Sequence, residues 1–428
     1  MVAKEEKRKV KLIFPCNVKP DKIGLEVHEN DVTFTFPVNY YQNNSIKEIE
    51  CNSLNEINKE YSNSIVTLAK LLSKYKESKD IEDYFNNENK FPIEAYLWIF
   101  RDYLKNGIYK DSENYYCVNG NGKINWKNTI KKGKTFLGTD NLVYKDIIKK
   151  NTRYNVVNQI TEIHRICVQK AIYIIGPFYG ISSKKIKTKI TEEIKNSWVG
   201  ILKKELLISY NDYKIELLRK LIYLLQSQDI NKFNSCEFNL VTKDYNYIFE
   251  RLVDEKFGNV NSSDYNPQGE IHLSENKKAI SAGQLRPDSI NVDNEGIYIF
   301  DSKYYTYSFF ENGTLPDVSS INKQITYAQY INNPLNNLNP ENKKIYNIFI
   351  LPKNDDYIDT NKIVKEKFRS DLSYIGYSNI KNNNQNSYDN IYMFLINFRK
   401  LVENKIDGKC FNEIKRIIRL EGLEKNKK

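Results

Sequence analysis

The stretch that most constrains this chain is "QLRPDSINVDNEGIYIFDSKYY", residues 284–305. Two apolar runs flank "DNEG" (293–296), a turn signal, and together they predict an antiparallel hairpin. In that register Val292 faces Ile297, Ile290 faces Ile299 and Asp288 faces Asp301. Directly opposed residues have Cβ atoms about 4.5–5.5 Å apart. Strand alternation puts Ile297, Ile299, Asp301 and Lys303 on one face. Two carboxylates and an ammonium therefore leave the apolar part of one face together.

Opposed like charges repel, and in partial burial one carboxylate must take up a proton or find a cation. Lys303 is a partial counterion. A hard cation suits the pair better, and Mg²⁺ takes one or two carboxylates and leaves its other positions for water and phosphate. The set suits phosphodiester hydrolysis, with a metal at Asp288 and Asp301 to polarise the phosphate and Lys303 to orient or deprotonate the water and balance charge. An acidic-x-Lys triplet alone says little, since Glu77/Lys79 and Asp254/Lys256 repeat it. The β context and the paired Asp288 set 301–303 apart. The competing reading is a hairpin end with an ordinary salt bridge.

Two further pieces fit. Glu250, on a helix expected near 244–257, is a candidate third oxygen for the metal; the alternative is a solvated helix face. Lys323, Gln324 and Tyr327 fall on a helix expected near 320–332, which Ser319 or Ser320 can cap. Gln324 and Tyr327 are three apart and share a face, from which they could reach a scissile phosphate or position Lys303. The alternative is the surface of an amphipathic helix.

The rest of the chain excludes other chemistries. Six cysteines form no CxxC pair, and three histidines share no motif, which argues against a zinc ribbon, a histidine metal site or a Ser-His-Asp triad. The N-terminus has charges but no apolar core of a signal peptide, and no apolar run approaches the roughly 20 residues of a membrane span. A cytoplasmic protein without a membrane partner is expected. Lys and Arg outnumber Asp and Glu by 65 to 54, a formal charge of +11 that favours a polyanionic partner. The basic, aromatic-bearing "KINWKNTIKKGK" offers Lys123, Trp126, Lys127, Lys131 and Lys132 as candidate nucleic-acid contacts.

The pattern predicts an α/β (mixed α+β) chain with a small central mixed sheet flanked by helices. Residues 1–52 read as a β-rich segment, with "GLEVHENDVTFTFP" as a hairpin. Residues 53–230 read as a mainly helical middle domain, a candidate DNA or partner contact, with helices at about 54–78, before Gly107, at 153–175, and at 189–228 with a break at "SYND". The C-terminal unit, 235–407, follows as helix, hairpin, helix, strands at 345–351 and 373–377, and a helix at 388–406. Residues 408–428 read as a basic helical tail in solvent.

"RPD…IYIFDSKYY" resembles the PD-(D/E)xK nuclease superfamily, with Asp288, Asp301 and Lys303 at the motif positions. "INKQITYAQY" after "GTLPDVSS", with "EAYLWIFRDYLKNGIY" and "GKINWKNTIKK" upstream, is similar to the LlaJI-type restriction endonucleases over roughly residues 93–400. In that family a "KQ" and a following tyrosine sit on the helix after the core, matching Lys323, Gln324 and Tyr327. RecB-like nucleases carry Gln-x-x-x-Tyr; here the tyrosine follows Gln324 by three, and Ala328 stands at four. The resemblance implies Mg²⁺-dependent cleavage of double-stranded DNA by residues 235–407 in bacterial restriction, with Asp288, Asp301, Lys303 and Gln324 catalytic. Similar systems pair a McrC-like nuclease with a McrB-like GTPase, so a second reading is the nuclease subunit of a motor-driven, modification-dependent restriction complex. No Walker A motif occurs here, so a motor would be another protein. Double-strand cleavage also suggests a homodimer. A non-catalytic DNA-binding protein is the remaining alternative, against which the two opposed carboxylates argue.

Overall fold

A computed structural model describes residues 9–15, 20–28, 31–41, 48–51, 59–76, 92–138, 141–179, 181, 189–228, 230–235, 237–243, 245–274, 279–304, 315–354, 364–381 and 386–425. The chain begins with β1 (Lys9–Ile13), β2 (Ile23–Val27), β3 (Asp31–Thr35) and β4 (Glu48–Cys51), then helices α1 (Lys59–Lys76) and α2 (Ile93–Asn106). A small β module follows: β5 (Asp111–Val118), β6 (Lys123–Ile124), α3 (Trp126–Lys132), β7 (Thr135–Leu137), β8 (Leu142–Tyr144) and β9 (Ile148–Val156). Next come α4 (Gln159–Ile175), α5 (Glu192–Ile208), α6 (Asp212–Gln226), α7 (Ile230–Ser235) and β10 (Phe238–Thr242). The last part holds α8 (Tyr245–Phe257), β11 (Gln268–Ile271), β12 (Ile280–Gln284), β13 (Ser289–Val292), β14 (Ile297–Ser302), α9 (Val318–Asn332) and β15 (Ile345–Lys353). It closes with β16 (Leu372–Ser378), β17 (Ile391–Asn397), α10 (Phe398–Val402) and α11 (Cys410–Lys425). The chain is thus mixed α/β, as its patterning predicts.

The N-terminal sheet has the order β10-β2-β3-β1-β4. Its β2–β3 hairpin pairs Leu25 with Phe34 and Val27 with Val32, as the alternation in "GLEVHENDVTFTF" requires. β10 arrives from residue 238 to close the other edge. Gly24, at φ +133°, makes that approach feasible, because a Cβ there would lie 2.1 Å from the Leu240 carbonyl oxygen.

The C-terminal sheet has the order β13-β14-β15-β17-β16. β14, β15 and β17 are parallel to one another and the two edge strands antiparallel. α9 covers one face, where Tyr327, Ala328 and Ile331 pack on Ile290, Ile297, Ile299 and Ile345. The other face joins a large core that runs from Val10 and Phe34 through Phe100 and Leu221 to Phe300 and Ile418. There Phe257 of α8 stacks on Phe300, and Phe411 of α11 packs on both. No helix among the described residues is long and apolar enough to cross a membrane.

Four sequence expectations change. Residues 153–156 belong to strand β9, and helix α4 starts only after Asn158, whose side chain accepts from the Thr161 N–H at 3.0 Å. Residues 391–397 are not the start of a helix but a strand, β17. Its run "IYMFLIN" is buried on both faces, and such a run carries no period that separates strand from helix. The polar stretch after α8 contains the β11–β12 ribbon. The basic tail is helical but not solvated, since Ile414 and Ile417 are fully buried. By contrast, the break at "SYND" is real: α5 ends at Ile208, and Asn211 caps α6.

Candidate active site

The hairpin folds in the expected register. Val292 pairs with Ile297, Ile290 with Ile299 and Ser289 with Phe300. Asp293 closes the turn: its N–H donates to the Gly296 carbonyl at 3.0 Å, and its Oδ1 accepts from the Glu295 and Gly296 N–H groups. Asp288 stands one residue beyond the last pair. Its Oδ2 accepts the Ser302 N–H at 2.7 Å, which ties it to the end of β14.

Alternation along β14 sets what each side chain meets. Tyr298 and Phe300 enter the large core, while Ile297 and Ile299 enter the α9-facing cluster. Asp301 continues the α9-facing row and is 5% exposed. Its main chain is held on the β15 side, where β14 pairs in parallel and Asp301 lies beside Phe349. The Lys303 N–H extends that ladder to the Ile350 carbonyl at 2.8 Å. Lys303 Nζ lies 2.5 Å from Asp301 Oδ2 and 5.9 Å from the centre of the Phe349 ring.

Electrostatics join these residues to α8. Glu250 is half-buried, and burial followed by the charge of Asp301 pushes its carboxyl up to about 6; Lys303, Arg286 and Arg251 oppose the rise. Asp288 is driven well above the ordinary carboxylate range, first by burial and then by Asp301 and Glu250, against the Ser302 N–H and Lys303. Asp301 is also raised by burial, although Lys303 and Lys323 pull it down. A tenfold change in a proton's affinity is worth about 1.4 kcal/mol, so Glu250 alone resists ionisation by about 2 kcal/mol. Three acids thus share one field that the surrounding cations do not fully offset.

That deficit is what a hard divalent cation relieves, and carboxylate oxygens are its preferred donors. Among the described residues no group of three or more His, Cys, Asp or Glu side chains gathers as a metal cage. Asp288 and Asp301, held at the same strand end, are the carboxylates that could hold such a cation, and Glu250 adds its charge from α8.

α9 brings further groups to the same face. Its N-cap is Asp317, not Ser319 or Ser320: Asp317 Oδ1 accepts the Ser320 N–H at 2.8 Å. An ionised carboxylate is the stronger acceptor at the positive end of a helix. Gln324 is fully buried, and neither carboxamide atom has a hydrogen-bond partner among the described residues. Tyr327 donates its hydroxyl to the Arg286 carbonyl at 2.9 Å, and burial with the charges of Asp301, Asp288 and Glu250 raises its pKa. Lys323 points outward and is exposed, although its charge reaches Asp301. Arg286 is a member of the site that the sequence patterning does not single out; its place beside Pro287-Asp288 is the available signal.

Lys123, Trp126, Lys127, Lys131 and Lys132 lie elsewhere, on β6 and α3 of the small module. All five are exposed, Trp126 at 56%. Among the described residues no hydrogen bond or ion pair links them to the acidic cluster.

Comparison with known proteins adds the family. No curated protein matches the sequence. Among solved structures, an assembly of Thermococcus gammatolerans McrB AAA+ hexamers with bound McrC aligns with 94% of this chain and 83% of its own, at 12% identity and a TM-score of 0.35. The sequence pattern described as LlaJI restriction endonuclease matches residues 22–375, which takes in all of the N-terminal sheet but β1, as well as the hairpin and α9. By that match over most of its length, the chain belongs to the LlaJI restriction endonuclease family.

Proposed function

We propose that this chain is a Mg²⁺-dependent endonuclease that hydrolyses phosphodiester bonds of double-stranded DNA in the restriction of foreign DNA. The observation that carries the reading is the contact of Lys303 with Asp301, next to an Asp288 tethered to the same strand end. We take residues from α8 onward as the nuclease unit, since α8, the hairpin, α9 and β15 supply every group in the cluster.

Asp288 and Asp301 would hold the metal, which supplies Lewis acidity at the phosphate. Lys303 contacts Asp301 at the end of β14. Its part is to orient the attacking water and to offset the charge that grows on the phosphate oxygens. Glu250, on α8 beside the two aspartates, is the carboxylate that would take up the water's proton. The lone pair of the water attacks phosphorus as its proton passes to Glu250 or solvent, the P–O ester bond breaks with its electron pair on the leaving oxygen, and that oxygen takes up a proton from solvent. Gln324 and Tyr327 bear on the same space: the tyrosine fixes the Arg286 backbone two residues before Asp288, and the unpartnered carboxamide can meet a phosphate oxygen or the water.

The test is plasmid DNA incubated with the purified chain and Mg²⁺, with and without EDTA, followed by sequencing of fragment ends. Internal breaks that vanish with EDTA are expected. Loss from DNA ends alone, or cleavage indifferent to EDTA, would overturn the reading.

A further inference from the structure

Among the described residues the β11–β12 ribbon pairs with no other strand. All nine of its strand residues are exposed, including Ile271 at 46% and Ile280 at 44%. An isolated two-stranded ribbon is marginal in water, and both its edges offer unpaired backbone groups. Its foot, however, is firmly set. The Leu285 N–H donates to the Pro267 carbonyl at 2.9 Å, and Tyr265 and Leu285 pack against the α9-facing cluster. The link from Gln284 to Asp288 runs through Arg286, whose carbonyl Tyr327 holds.

That link fixes the distance to the chemistry. Four residues span no more than about 14 Å, or about four base pairs at 3.4 Å each. A duplex with a phosphate at Asp288 and Asp301 therefore lies within reach of the ribbon's foot. A major groove about 12 Å wide admits a two-stranded ribbon. The side chains suit bases more than phosphates: neither described strand carries Lys or Arg, whereas Gln268 and Gln284 stand directly opposite each other at the foot. Glutamine carboxamides match the donor and acceptor edge of adenine. Gly269 and Gly283, paired beside them, leave room for close approach.

We propose that the β11–β12 ribbon lies in a groove of the DNA cut at Asp288 and Asp301, with Gln268 and Gln284 meeting base edges within about four base pairs of the break. The inference rests on the nuclease reading above.

Two measurements on the full chain test it. In the first, fragment ends from plasmid and phage DNA are sequenced for the wild type and for Gln268→Ala/Gln284→Ala. The wild type should show a base preference within that window, and the double variant should still cut but lose the preference at least about five-fold. In the second, a photo-crosslinking amino acid replaces the exposed Ser281, and a labelled duplex is irradiated with it in EDTA. A protein–DNA adduct competed by unlabelled duplex is expected. Random ends from the wild type, an unchanged preference in the double variant, or adducts only to a second protein copy would overturn the inference while cutting persists. A chain that neither binds nor cuts duplex DNA fails the nuclease reading, and this inference falls with it.

Discussion

Lys303 Nζ, one residue past the end of β14, lies 2.5 Å from Asp301 Oδ2, with both side chains largely shielded from water. The lysine is the only cation in direct contact with the aspartate among the ion pairs of the described residues. Lys303→Ala should leave Asp301 more reluctant to ionise and remove a charge from the transition state. Plasmid cleavage is expected to fall about 100-fold or more, with gel-shift affinity for duplex DNA within a few-fold of wild type. Asp301→Ala should behave alike. A Lys303→Ala protein that cuts at the wild-type rate would sink the assignment.

The raised carboxyl of Glu250 has a calculable pH signature. Its folded value of about 6 exceeds the ordinary 4.5, so the folded state holds the proton more tightly than the unfolded one. The destabilisation is absent below about pH 4.5, grows as pH rises through 6 and is complete above it. Glu250→Gln removes the charge. Without metal it should stabilise the fold at pH 7 by about 2 kcal/mol relative to wild type, and the difference should vanish in mild acid. Denaturant titrations at several pH values in EDTA measure it, and a difference independent of pH would remove Glu250 from the acidic field.

Metal addition should act on the same imbalance. Mg²⁺ that binds the folded state raises its stability by mass action, so thermal unfolding of the wild type should shift upward with Mg²⁺ concentration at neutral pH. Asp288→Asn and Asp301→Asn should each blunt the shift. An equal response in the wild type and both variants would place the metal elsewhere.

Much of this site could be read from the sequence, because a hairpin's register follows from its turn and its alternating apolar residues. "DNEG" and the isoleucines at 290, 297 and 299 suffice to bring Asp288 to the end of β14. What sequence could not supply was burial on both faces. "IYMFLIN" fills the middle of a sheet and has no polar face to reveal a period of two. Nor could it show that Asp288 is held by a backbone N–H of Ser302 and not by a side chain, since every residue offers that donor. Arg286 and Gln324 acquire their meaning only from what surrounds them.

The C-terminal helix provides a sharper contrast between the two readings of "FNEIKRIIRLEG". Its Ile417 is fully buried in the large core, and Lys415 pairs with Asp293 at 2.8 Å, at the turn of the hairpin. Ile417→Ala should therefore cost about 2–5 kcal/mol in chemical denaturation, whereas a solvated tail would tolerate it without measurable loss. Lys415→Ala should cost less, because its two ion pairs, with Asp293 and with Glu295 at a partly exposed turn, are worth about 1 kcal/mol or less each.

Gln324 separates stability from activity. Its carboxamide is buried without a hydrogen-bond partner among the described residues, and such a group costs about 1–3 kcal/mol. Methionine has nearly the same length and no such group to satisfy. Gln324→Met should therefore leave the fold as stable as the wild type or more so in metal-free denaturation. If the carboxamide serves the phosphate or the water, the same variant should lose cleavage about ten-fold or more, as removal of a positioned donor does. The two measurements together decide its role: a more stable, less active protein assigns Gln324 to the reaction, while lost stability with unchanged specific activity returns it to the packing of α9.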